Sequence, residues 1–299
     1  MRHLRPEALA SVRPTIVLRR MLRCPRTSDL ASYFDVLPHA ELLKSVARRV
    51  VDGAMLHLIK MWLKAPVEES DGRGGKHRST RNRDEGRGTP QGSPISPLLS
   101  NLYMRRFVLG WKKLRHEKRL GACIVNYADD LVICCRRRAE EALATMRSMM
   151  TKLKLTVNET KTRVAKLPEE KFDFLGYTFG RCYSIKTGRA YLGAAPSKTR
   201  VIRICKAISD ETRRGRTPLD HKTVVTKLNQ MMNGWANYFC LGSASKAYRA
   251  VDQHACKRLR QWLCAKHKVS WPAIGKFPHA GLNTTFGLVR LDQRTRSFS

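Results

Sequence analysis

Two adjacent carboxylates, Asp129 and Asp130, sit inside the otherwise apolar stretch "IVNYADDLVICC", residues 124–135. Like charges side by side repel, and each loses hydration when strand-forming residues draw it toward a core. Aspartates that cap the amides of a turn are one explanation. A bound divalent cation is the other, because it removes both costs. A second acidic strand end lies upstream, where Asp29 opens and Asp35 closes "DLASYFD". If the two segments pair side by side, Asp29 and Asp129 converge on one point. Carboxylates converging from separate strands hold two magnesium ions about 4 Å apart for in-line displacement at phosphorus. One ion lowers the pKa of an attacking hydroxyl, and the other neutralises the leaving group. Oxygen donors suit a hard cation, and the scarcity of histidine nearby argues against zinc.

The elements that must position these groups are legible to differing degrees. A hairpin is expected with Asp129 and Asp130 at its tip, and a short strand over "DLASYFDVLPH", ending at Pro38. Leu42, Leu43, Val46, Val50, Leu56, Ile59 and Leu63 recur at helical spacing, with Gly53 dividing them into two helices. Residues 68–88, "EESDGRGGKHRSTRNRDEGRG", read as an exposed hairpin or loop, either a solvated linker or a nucleic-acid contact. Ser96 followed by Pro97 predicts an N-cap and a helix running to about Leu114. Leu143, Met146, Met150 and Leu153 mark another helix, and "KFDFLGYTFG" a strand bent at Gly176. Beyond residue 195 only helical patterns follow. In the last of them Tyr248, Val251, Ala255, Leu259 and Trp262 form an apolar stripe, and Lys246, Arg249, Lys257, Arg260 and Lys266 lie largely off it. A boundary is expected between residues 180 and 200, with domains over 1–185 and 195–299.

Composition narrows the partner. The 299 residues carry 58 Lys and Arg against 24 Asp and Glu, a net charge of +34 spread along the chain. That excess points to a polyanion, nucleic acid first. The nine cysteines include no C-x-x-C pair, so zinc ribbons and disulfide frameworks are not expected. No apolar run approaches a membrane span, so no membrane partner is expected. The Arg-rich first 23 residues have the composition of an organellar transit peptide, but Pro6 and Pro14 interrupt their helix. A cytoplasmic, nucleoid-associated location in a bacterium is expected, with an organelle as the alternative.

The ordered segments "DLASYFDVLPH", "GTPQGSPISPLLSNLYM", "NYADD", "LKLTVNETKT" and "FDFLGYTFG" resemble the motif series of reverse transcriptases, most closely those encoded by group II introns. "GWANYF" resembles their maturase domain, so the likeness spans roughly residues 29 to 270. The resemblance implies an α+β fold: a right-hand polymerase palm with partial fingers, followed by an all-helical thumb and maturase domain. It implies RNA-directed DNA polymerase activity with two Mg²⁺ ions, and intron RNA binding in splicing and mobility. Carried over residue by residue, Asp29, Asp129 and Asp130 are the catalytic metal ligands. Lys161 matches a lysine near the leaving pyrophosphate, though an ordinary surface lysine also fits its context. Gln91, Gly92, Leu30 and Phe34 match the nucleotide pocket; Tyr127, Leu175 and Gly176 match the primer contacts; Arg249, Lys257, Arg260 and Lys266 are assigned to RNA. Trp235 and Tyr238 either stack on bases or belong to the core. The implied partners are an RNA template and primer, group II intron RNA and a DNA target; the oligomeric state is open.

Two departures from the family pattern stand out. Only 28 residues precede Asp29, so most of the fingers is expected to be missing. An apolar run is expected just ahead of Asp29, whereas the chain has "RCPRTS", with a proline that is poorly tolerated in a central strand. These departures leave a second reading, a non-catalytic RNA-binding splicing cofactor or an inactive truncated relative. No H-N-H-like histidine cluster or cysteine quartet follows, so DNA cleavage is not expected.

Overall fold

A computed structural model describes residues 24–29, 33–70, 76–90, 93–127, 130–136, 138–159, 162–184, 187–269 and 277–294. The chain packs as two compact units, divided between Glu170 and Lys171.

The first unit is built on a four-stranded antiparallel sheet. Its strands are β1 (Cys24–Asp29), β4 (Ala122–Tyr127), β5 (Asp130–Cys135) and β6 (Arg163–Val164), in the order β4-β5-β1-β6. The strand carrying Asp29 therefore precedes it. The residues after it form a short helix, α1 (Tyr33–Val36), where a strand was expected. The "RCPRTS" segment makes an unbroken ladder with β5, from Cys24 opposite Cys135 to Asp29 opposite Asp130. On the other side β6 pairs only with Arg26 and Thr27. Pro25 thus lies past the end of that ladder, at an edge, where its missing N–H costs nothing.

Helices cover this sheet. The apolar stripe divides at Gly53 into α2 (His39–Ala47) and α3 (Gly53–Lys64). Asp52 caps α3, its carboxylate accepting from the amides of Ala54 at 2.8 Å and Met55 at 3.3 Å. Next come the hairpin strands β2 (Val67–Ser70) and β3 (Lys76–Ser79) and a single helical turn, α4 (Arg81–Asp84). The long α5 (Ser96–Lys113) buries Leu99, Tyr103, Phe107 and Trp111, one face at four-residue spacing. Ser96 is not its cap. The cap position is Ile95, and the buried Ser96 hydroxyl instead donates to the Pro90 carbonyl at 2.7 Å, tying the preceding loop to the helix. Trp111 Nε1 donates to the Ala122 carbonyl at 3.3 Å, anchoring α5 to β4. A short α6 (His116–Leu120) and the amphipathic α7 (Ala139–Lys152) complete the unit.

The second unit begins with a three-stranded antiparallel sheet, β7 (Phe172–Phe174), β8 (Tyr177–Tyr183) and β9 (Ala190–Pro196). The helices α8 (Lys198–Glu211), α9 (His221–Tyr238), α10 (Ser245–Lys266) and the short α11 (His279–Thr284) follow. Tyr248, Val251, Ala255, Leu259 and Trp262 of α10 are all buried in their common core. The sheet packs on these helices through Tyr177, Ala194 and Phe239. That contact groups β7–β9 with the helices of the second compact unit.

Part-buried Arg258 ties the C-terminus of α8 to α10. Its guanidinium donates to Thr212 Oγ1 at 3.1 Å and to the carbonyls of Ser209 at 3.1 Å and Thr212 at 3.0 Å. A cation at a helix C-terminus also meets the negative end of the helix dipole. Arg258→Ala is expected to cost about 2 kcal/mol by urea denaturation, because it strands those acceptors. Arg258→Lys should recover less than half, since an ammonium cannot reproduce the planar fork.

Candidate active site

β5 is the strand that brings two acidic positions into register. Its first residue, Asp130, lies opposite Asp29 of β1 on one side and Tyr127 of β4 on the other. Directly opposed residues of an antiparallel pair have Cα atoms about 4.5–5.5 Å apart and share a face of the sheet. Asp130 is exposed at the open end of β5, and the three residues after it, Leu131, Val132 and Ile133, are buried. Tyr127 is 64% exposed, so its ring faces solvent beside the acidic pair. Asp129 and Lys161 lie outside the described residues, and Asp29 is described in its backbone alone.

The segment after Asp29 holds the loop assigned to the nucleotide. The Thr89 amide donates to the Phe34 carbonyl at 2.6 Å, Gly88 N–H to the Leu37 carbonyl at 2.9 Å, and His39 N–H to the Gly86 carbonyl at 2.9 Å. Gly88 has φ +92°, and a Cβ there would stand 3.1 Å from the Asp35 carbonyl oxygen, so the close approach requires glycine. These bonds position Phe34 beside Thr89 and Pro90, which lead directly into Gln91. Gln91, Gly92 and Leu30 lie outside the described residues.

Sequence reasoning passed over His39. It is buried, and its Nε2 donates to the Gly88 carbonyl at 2.6 Å. Its place directly after Pro38, at the first position of a helix, was the available signal. Burial holds the imidazole below its usual value of 6.5, so it is neutral in the folded chain. The unfolded chain therefore takes up the proton first. The stability of the first unit should be full above pH 6.5 and fall as the pH drops below it. Thermal melts between pH 8 and 5 check this. His39→Gln keeps a donor at that point and should flatten the dependence.

Leu175 and Gly176, assigned to the primer by the resemblance, form the two-residue turn between β7 and β8. Both have positive φ, 51° and 81°, as in a type I′ hairpin. A Cβ on Gly176 would stand 2.9 Å from Arg200 Nε and 3.2 Å from Phe239 Cζ. Tyr238 of "GWANYF" donates its hydroxyl to the Leu175 carbonyl at 3.0 Å, and Tyr177 donates to the Tyr238 carbonyl at 2.6 Å. Trp235 packs against Phe239 and Tyr248, with ring centroids 5.0 and 5.9 Å apart. The aromatics of this motif therefore fasten the turn to α9. Tyr238, 57% exposed, still offers an edge to solvent.

The four cations assigned to RNA divide. Arg249 and Lys257 are exposed. Arg260 donates to the Phe277 carbonyl at 3.0 Å, and Lys266 to the carbonyls of Thr217 at 3.1 Å and Leu219 at 2.8 Å, so both hold loops.

Residues 14–179 match the family described as Reverse transcriptase (RNA-dependent DNA polymerase), and residues 201–276 match the Group II intron, maturase-specific domain. The chain belongs to the group II intron reverse transcriptase/maturase family. An "Uncharacterized 91 kDa protein in cob intron" of Schizosaccharomyces pombe is 23% identical over 285 residues, covering 71% of this chain and 34% of that protein. "Protein YkfC" of Escherichia coli is 29% identical over 180 residues, covering 50% of this chain and 45% of that protein. The chain thus spans between a third and a half of the length of these curated relatives. A telomerase structure from Candida albicans, in complex with a TWJ fragment of telomeric RNA, aligns with a TM-score of 0.45 at 12% identity, covering 98% of this chain and 52% of that one.

For a reverse transcriptase, the sheet with Asp29, Tyr127 and Asp130 at one end is the palm, a mixed helix-and-sheet polymerase fold. Among the described residues no helix is long and apolar enough to cross a membrane. Nor is any group of three His, Cys, Asp or Glu among them placed to hold a metal ion. Reverse transcriptases generally use divalent metal ions, and the register sets the backbone of Asp29 opposite Asp130, two acidic positions at one end of the sheet.

Proposed function

We propose that this chain is an RNA-directed DNA polymerase that extends a primer on an RNA template, and that its helical part, residues 195–299, binds group II intron RNA as a maturase. The observation that supports the reading most is the register that sets Asp29 opposite Asp130, with Tyr127 on the neighbouring strand. Residues 1–185 are then the palm with partial fingers. Asp29, Asp129 and Asp130 would hold two Mg²⁺ ions, which would supply activation of the primer 3′ hydroxyl and neutralisation of the leaving charge.

The remaining work falls to the chain's own side chains. Tyr127 supports the primer end, and the Leu175–Gly176 turn presses on the primer strand. The loop at Gln91 and Gly92, anchored through Thr89 to Phe34, lies against the incoming nucleotide, together with Leu30. Lys161 meets the leaving pyrophosphate. In the helical part, exposed Arg249 and Lys257 face the RNA backbone, and Arg260 and Lys266 shape the surface between them. A DNA target and a cytoplasmic location belong to the same proposal.

A labelled primer annealed to an RNA template should be extended by the full chain with magnesium and deoxynucleotides, and extension should stop with a chelator. No extension, alongside salt-sensitive RNA binding, would leave the chain an RNA-binding splicing cofactor.

A further inference from the structure

Two cavities of the palm unit meet at one side chain. The first, about 550 Å³, is lined by Thr89 and Pro90, which lead into the nucleotide loop, and by Asp35 next to Phe34. The second, about 630 Å³, is lined by Thr156, Val157 and Glu159, just ahead of Lys161. Arg87 lines both. Their charges differ. The first places Asp35, Glu68 and Glu85 against two guanidinium groups, Arg81 and Arg87. Among the described residues, the second places Arg87, Arg147 and Lys154 against one carboxylate, that of Glu159. Glu159 is taken by Arg147, which donates to it through Nε at 2.9 Å and through Nη2. Arg87 is exposed; the Lys154 ammonium lies 4.0 Å from Glu41 Oε1, but its side chain is 58% exposed, so both cations keep a face toward a ligand.

We propose that the second cavity binds the inorganic pyrophosphate released by nucleotide addition. The inference rests on the polymerase reading. In that reaction the primer 3′ hydroxyl loses its proton to water, its oxygen bonds to the α-phosphorus, the bond from the α-phosphorus to the α–β bridging oxygen breaks, and pyrophosphate leaves with that electron pair. The leaving polyanion passes from the first cavity, where carboxylates outnumber cations and repel it, to the second, where cations outnumber carboxylates three to one. Arg87 stands at the junction and reaches either side. Charge-assisted hydrogen bonds from Arg87 and Lys154 give the site its affinity, and the Arg147–Glu159 pair fixes its wall.

Calorimetric titration of inorganic pyrophosphate into the full chain, without primer or nucleotide, tests the site directly. Lys154→Gln and Arg87→Ala should each weaken binding about tenfold. The control Lys152→Ala, an exposed lysine at the end of α7 that does not line the cavity, should leave it unchanged. In primer extension, Lys154→Gln should raise the pyrophosphate concentration that gives half inhibition by a similar factor. Pyrophosphate that binds Lys154→Gln and Arg87→Ala as tightly as the unaltered chain, or does not bind at all, overturns the proposal. If extension fails but calorimetry shows binding that both variants weaken, the polymerase reading falls and the anion site stands. If extension proceeds with unchanged pyrophosphate inhibition in both variants, the anion site falls alone.

Discussion

Asp29→Ala or Asp129→Ala should lower primer extension by a factor of about 10³ or more, which is roughly 4 kcal/mol of transition-state stabilisation. The same substitutions should leave the thermal midpoint unchanged or slightly higher. Opposed like charges destabilise a ladder, and the register sets Asp29 against Asp130, so removing one acid relieves repulsion. A group that costs stability and supports activity is the signature of a functional residue. Asp130→Asn should cost less, because Asp29 and Asp129 carry the main metal contacts in the family's pattern. Single-nucleotide incorporation and differential scanning calorimetry on the same preparations make the comparison. Asp129→Ala that extends primers at the unaltered rate would remove the acidic tip from the chemistry. Asp29→Ala that loses activity only because the chain unfolds would reduce that residue to a structural one.

The second large effect is that of salt. A net charge of +34 without an acidic domain to offset it makes RNA affinity chiefly a matter of counterion release. Raising monovalent salt from 50 to 200 mM should weaken binding of a structured RNA about 10³-fold, as for a protein neutralising some six phosphates. Individual cations should separate in this measurement. Arg249→Ala and Lys257→Ala, exposed on α10, should each reduce the log–log salt slope by about one. Lys266→Ala should change the slope little and instead lower stability, because its ammonium holds the carbonyls of Thr217 and Leu219. Filter binding across a salt series, paired with urea denaturation, distinguishes the two roles. Equal slope changes for all of these variants would contradict that division.

Local pattern carried much of the fold. The hairpin at Tyr127–Asp130, the break at Gly53 and the buried stripe of α10 follow from periodicity and turn chemistry, which act over a few residues. Other features depended on partners far along the chain. Pro25 argued against a strand until the short β6 left an edge beside it. Ser96 reads as a helix cap, yet it bonds the Pro90 carbonyl because the loop before it folds back. Trp235 and Tyr238 were open between base stacking and core until the β7–β8 turn was seen fastened to them. Nothing in residues 86–89 and 34–39 taken separately announces that they bond each other, since their pairing is long-range.

The sequence by itself determined the chemistry on offer: an acidic pair in an apolar hairpin, a glycine-rich loop before a helix, a cationic surface, and a motif order that names the family. Only the tertiary structure decided which acids face one another, which cations are free to meet a phosphate, and that one arginine joins two cavities of unlike charge. The physical reason is one of range. Side-chain type and turn preference are set within a few residues, whereas a binding site's charge is the sum over groups brought together by burial and strand register, and neither is readable until the distant partner is in place.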